Sequence, residues 1–165
     1  MMGVSVAPMN KDKANDHPHV IALPPLIFLL YAVAGFGMHI LHPSPVASPA
    51  AGRTVGVLLG ILSGFLAIWA RSVMKAGGTN IRPDRPAVAV VTDGPFRFTR
   101  NPLYLSLCLL LLAGGFFIND WMLLLATVPL AVTLHFGVIL REEVYLERKF
   151  GASYLDFKRQ VRRWI

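Results

Sequence analysis

A lone cysteine, Cys108, stands in 165 residues, and without a partner thiol it excludes a disulfide framework or a cysteine zinc cluster. Its position inside an apolar run makes it a packing residue. Charge is also scarce: Asp, Glu, Lys and Arg make up 15% of the chain, against roughly a quarter in soluble domains. Acidic residues are the rarer sign, nine against sixteen basic ones. No internal repeat and no glycine-rich dinucleotide fingerprint is present. The basic residues alternate with long uncharged runs and do not pave one face. That pattern argues against nucleic acid and for a membrane surface carrying anionic lipid head groups.

Hydrocarbon fills the space that charge leaves. Hydrophobic residues make up 55% of the chain, and four stretches lack Asp, Glu, Lys and Arg: Ile21 to Leu41, Thr54 to Ala70, Asn101 to Asn119 and Trp121 to Leu140. A bilayer crossing takes about 20 residues, with roughly 17 to 25 tolerated. Backbone groups in lipid must bond within their own segment, so each run reads as a helix. The second run is marginal and can borrow a turn if Arg71 snorkels. The expected fold class is all-α: an integral membrane bundle of four transmembrane helices with a C-terminal amphipathic helical tail. The helices fall at about 21–41, 54–74, 102–118 and 121–143, with an interfacial tail over 144–165. They form one domain over 21–165, preceded by a mobile extension over 1–20. The first run is too long for a cleaved leader and has no basic region directly before it.

If four helices alternate, fifteen of the sixteen Lys and Arg residues share one side and only Arg53 lies on the other. The positive-inside rule makes that side the cytoplasm, with both termini there, as in a bacterial inner membrane. Only Asn119-Asp120 separates the third and fourth helices, so their far ends return to one membrane boundary. That brings Arg100, Asn101, Pro102 and Tyr104 toward Arg141, Glu142 and Glu143. Pro102 suits a first helical turn, whose free amides favour an acceptor or anionic group. In the tail, Gly151 breaks a first amphipathic stretch from a second. The tail ends in Trp164 and lies in the interface or over the site.

The segments "DGPFRFTRNPLYLS" and "REEVYLERKFGASYLDFKRQVRRWI", joined by the short corner, resemble the isoprenylcysteine carboxyl methyltransferase family and its bacterial relatives, which overlap the phospholipid methyltransferases. The resemblance covers roughly residues 77 to 165. It implies an integral membrane enzyme that holds S-adenosylmethionine in a cytoplasm-facing pocket between its last helices and methylates a lipid or other lipophilic small molecule. It also implies cofactor contacts from the backbone at Val90 and Val91, and from Phe96, Asn101, Pro102, Leu103, Tyr104 and Glu142. Physical sense agrees, since a carboxylate accepts from ribose hydroxyls or an ammonium and aromatic faces suit a sulfonium cation.

Arg100 is a candidate catalytic residue or a snorkelling lipid contact. Glu143 and His135 are the candidate bases for an amine or hydroxyl acceptor. Glu147, one turn beyond, reads as solvated. Two departures from the family pattern matter. Asn101 stands where eukaryotic members have His, and Val138 stands where prenylcysteine enzymes have the arginine that holds the substrate carboxylate. Two rival readings remain: a nicotinamide-dependent membrane reductase, whose phosphate cluster would be Arg82, Arg85, Arg97 and Arg100, and a non-catalytic membrane scaffold.

Overall fold

Prolines set where the first two helices begin, because a ring-locked φ and a missing N–H cost nothing in a first turn. The computed structural model describes residues 5–6, 18, 20–81 and 85–165. In it α1 (Pro24–Leu41) opens on Pro24-Pro25. The second helix, α2 (Pro49–Ala76), opens on Pro49 behind Ser48, whose hydroxyl accepts from the Ala51 amide. This start lies within the loop expected from its prolines. The Ser48 cap and Pro49 carry the helix back across Arg53, so α2 runs 28 residues and is not marginal in length.

Next come α3 (Pro102–Ile118), α4 (Trp121–Leu134), a π-turn at His135–Ile139, α5 (Leu140–Phe150) and α6 (Ala152–Gln160). The π-turn does not break the rod: Trp121–Phe150 is one helix of 30 residues. The fourth helix therefore continues past 143 to Phe150. At ~1.5 Å per residue this helix is about 45 Å long, against ~30 Å of hydrocarbon. Its charged end, beyond Leu140, projects past the apolar layer. At Gly151 φ reaches +54° and the chain turns into α6.

Among the described residues, three helices are long and apolar enough to cross a membrane: α1, α2 and Trp121–Phe150. The expected third span, α3, is apolar but has 17 residues. Of the extension over 1–20, Ser5–Val6 pairs antiparallel with Ala89–Val90, while residues 1–4, 7–17 and 19 lie outside the described residues.

The α3–α4 corner is tied down from outside. Asn119 takes the left-handed conformation at φ 64°. Its side-chain oxygen accepts from the amides of Val46 and Ala47, and its amide donates to the Ala47 carbonyl. The fully buried Asp120 accepts from the amides of Ser44 and Met122 at 2.8 Å and bonds the His39 ring at 2.9 Å. Two adjacent side chains thus staple the α1–α2 loop to the corner. A core of Ile27, Cys108, Leu111, Leu123, Leu130, Leu134 and Val138 then fills the space between α1, α3 and α4, where Cys108 is the packing residue expected.

Helices α2 and α3 approach through glycine. A Cβ on Gly56 would stand 2.6 Å from the Phe117 amide nitrogen and 2.8 Å from the Ala113 carbonyl oxygen, whereas one on Gly64 meets nothing within 4 Å. Backbone cannot swing aside as a side chain can. Gly56→Leu should therefore cost about 1–3 kcal/mol, the usual range for overpacking, while Gly64→Leu should be near neutral. Thermal unfolding of the two variants in detergent checks the contrast.

Candidate functional site

The hairpin folds its polar ends against one cavity of about 140 Å³, open at its mouth. Its floor is the first turn of α3 and the start of α5. Its walls are the Ala87–Val91 segment, the short turn at Gly94–Arg97 and α6. Ten of the eleven candidate site residues named from the sequence line it: Val90, Val91, Phe96, Arg100, Asn101, Pro102, Leu103, Tyr104, Glu142 and Glu143. A second apolar cluster of Ala70, Val90, Phe96, Tyr154 and Phe157 holds these walls together.

Two adjacent carboxylates experience opposite surroundings. Both lie past Leu140, on the projecting end of the long helix. Glu142 accepts from the Tyr104 hydroxyl at 2.8 Å. Burial pushes its carboxyl up to about 7, with the Glu143 charge adding to the rise and the Tyr104 bond opposing it. The group therefore changes charge near neutral pH. Burial alone would also raise Glu143. Instead, hydrogen bonds from Arg163 and the charges of Arg100, Arg163 and Lys158 hold it below the usual carboxylate range. Arg163 donates through Nε and Nη2 at 2.7 and 2.9 Å, a forked pair. Arg100 Nη1 lies at 3.3 Å and Lys158 Nζ at 3.6 Å. Ringed by three cations, Glu143 is a weak proton acceptor, which argues against it as a base.

Arg163 belongs to a strap, residues 161–165, that returns along the entrance of α3. The Arg162 carbonyl accepts from the Arg100 amide at 3.0 Å. The Arg163 carbonyl accepts from the Asn101 side chain at 2.9 Å and from the Thr99 hydroxyl at 3.3 Å. Part of Asn101's hydrogen-bonding capacity is thus spent within the protein. Trp164 donates to His135 Nδ1 at 3.2 Å and stacks on that ring. His135 is not among the cavity residues, and this contact occupies one of its nitrogens.

Other expectations are placed as follows. Val138 is fully buried in the core and does not line the cavity. Glu147, expected to be solvated, instead bonds Lys158 and is 33% exposed. Of the four arginines of the reductase reading, the structure describes three. Arg85 and Arg100 line the cavity, Arg97 is exposed beside Asp93, and Arg82 lies outside the described residues. Sequence reasoning missed Thr79, Tyr145 and Arg163. Thr79 steadies the wall by accepting from the amides of Val88 and Ala89. Tyr145 accepts from the Ala87 amide. Among the described residues no group of three or more His, Cys, Asp or Glu is placed to hold a metal ion.

The sequence pattern of the phospholipid methyltransferases matches residues 51–153, more than half of the chain. The chain belongs to the phospholipid methyltransferase family. The family match takes in α2 through the start of α6, reaching well before the 77–165 span of the sequence resemblance and stopping short of the strap. Over 63 residues, 38% of this chain and 100% of the relative, the chain is also 40% identical to an uncharacterized protein of Haemophilus influenzae.

The ion cluster makes Arg163 the link between strap and site. Arg163→Ala would leave Glu143 with Arg100 and Lys158 only. The loss of two hydrogen bonds to a buried charge should cost about 1–3 kcal/mol, and the amides of 161–165 should exchange faster. Hydrogen exchange read by mass spectrometry checks the strap directly.

Proposed function

We propose that the protein transfers a methyl group from S-adenosylmethionine to a lipophilic acceptor at the cytoplasmic boundary of a bacterial inner membrane. The observation that carries this reading is the joint lining of one cavity by "RNPLY" and Glu142, within a chain of this methyltransferase family. The cavity fits the cofactor in chemistry: Glu142 can accept from hydroxyl or ammonium donors, and the faces of Phe96 and Tyr104 suit a sulfonium or an adenine. When bound, the cofactor supplies a methyl on a positively charged sulfur.

The chain's own contribution is placement. Glu142, oriented by the Tyr104 hydroxyl, holds a cationic or hydroxylated part of the cofactor. The backbone at Val90 and Val91 and the first turn of α3, from Asn101 to Tyr104, fix the rest. Holding two reactants in line can lower a barrier by ~7–11 kcal/mol. Apolar walls from Phe96, Leu103 and Phe157 exclude water, which protects a reactive donor. In this reading α3 is a fourth span beside α4, and the basic faces of α5 and α6 meet anionic head groups with both termini cytoplasmic. With Val138 buried in the core, a prenylcysteine carboxylate has no arginine at that position to hold it. The nicotinamide reductase reading has no comparable support, because the family match is to methyltransferases.

Calorimetry on protein in detergent tests the proposal, with S-adenosylmethionine and NADPH as ligands. S-adenosylmethionine should bind, and Glu142→Gln should weaken it about ten- to hundredfold, the worth of a charged hydrogen bond at ~1.4 kcal/mol per factor of ten. The exposed Asp156→Asn serves as control. Because the Glu142 carboxyl sits at about 7, it is protonated below that pH and accepts poorly. Affinity should therefore rise as pH increases through about 7 in wild type and stay flat in Glu142→Gln. Binding of NADPH alone, or equal affinity in wild type and variant, would sink the assignment.

A further inference from the structure

Arg100 bonds the Tyr154 side chain but leaves its other two nitrogens unpartnered. Its side chain is 7% exposed, it lines the cavity, and neither Nε nor Nη1 has a hydrogen-bond partner. The guanidinium cannot shed its proton to escape this, and an unmade hydrogen bond from a buried charged donor is costly. Glu143 does not relieve it. The 3.3 Å approach of Nη1 to Glu143 Oε1 supplies charge but no aligned hydrogen bond.

Charge gathers here in two places. Arg100, Lys158 and Arg163 surround Glu143, and Lys158 also reaches Glu147. Glu142, with its Tyr104 bond, forms a separate acidic point on the same lining. The cavity thus presents an anion-holding group and a cation-holding group at distinct places.

The geometry points to an oxyanion subsite at Arg100, which takes an oxygen of a carboxylate or phosphate of the bound ligand on the free Nε donor. The permanent charge of the guanidinium makes such a bond to either group a charge-assisted one. Two sources carry that chemistry under the methyl-transfer reading on which this inference rests: the amino-acid carboxylate of S-adenosylmethionine, and an acidic head group on the lipid acceptor. Arg100 is in either case a ligand-positioning group and takes no part in bond making.

Calorimetry on the full chain in nonionic detergent, wild type and Arg100→Gln, separates the sources with two probe pairs. One pair is S-adenosylmethionine and its decarboxylated form; the other is dihexanoyl phosphatidic acid and dihexanoylglycerol. Wild type should prefer the oxyanion-bearing member of at least one pair, and Arg100→Gln should erase that preference, a loss of about ten- to hundredfold. The pair that loses it names the source. A preference that survives in Arg100→Gln, or none in wild type, overturns the subsite.

Inorganic phosphate gives a second measurement that does not depend on the variant folding. In wild type it should compete with the oxyanion-bearing probe and spare its counterpart; equal effects on both would overturn the subsite. Absence of S-adenosylmethionine binding, alongside an Arg100-dependent preference for phosphatidic acid, would sink methyl transfer and leave the subsite standing. Tight S-adenosylmethionine binding with no oxyanion preference in either pair would do the reverse.

Discussion

Two residues at the α3–α4 corner decide where everything polar in this protein can go. With Asn119 in a left-handed turn and Asp120 buried under three hydrogen bonds, α4 can only run back along α3. The chain then has no choice but to bring the entrance of one helix beside the exit of the other. An apolar bundle offers few places where a charged group can survive. The corner concentrates those places at the opposite end, where the long helix outruns the hydrocarbon.

At that end, neighbours in sequence take opposite electrostatic roles. Glu142 faces a hydroxyl and the cavity, and desolvation leaves it titrating near neutrality. Glu143, one residue on, points into a ring of cations and stays charged. A helix turns about 100° per residue, so consecutive side chains can serve separate compartments of one site. Glu143 holds the architecture together while Glu142 stays available to a ligand. A buried ion cluster of this kind is weak evidence for stability in itself. Its clearer effect here is positional: it fixes the strap, α6 and the α3 entrance around one carboxylate.

Much of this was legible in the sequence, for identifiable reasons. Uncharged runs and a two-residue corner constrain topology strongly, and from them Arg100 to Tyr104 had to meet Glu142. The motif residues then fell together on one cavity because they sit within a turn of those helix ends. What escaped depends on contacts with no periodic signature. The strap reads as an extension of an amphipathic tail; only the break at Gly151 and the return of Arg163 to Glu143, twenty positions away, give it another role. The π-turn at His135–Ile139 has no compositional mark either. It becomes visible where the Gly137 carbonyl accepts from Ile21, with the Ile21 side chain pressed against a residue that has none. The early start of α2 was hidden by prolines that read as loop but act as a helix entrance.

The stapled corner has a mechanical meaning as well. From Asn119 back to Asn101 the hairpin is a lever arm of about 26 Å, at ~1.5 Å per residue over the 17 residues of α3. On an arm of that length, a tilt of only ~2° at the corner moves the far end by about 1 Å, the scale of misplacement that can cost roughly a hundredfold in rate. Angular tolerance at one end of the hairpin therefore sets positional tolerance at the other. The hydrogen bonds around Asn119 and Asp120 act as the pivot's bearing, and wear there would be felt at the cavity.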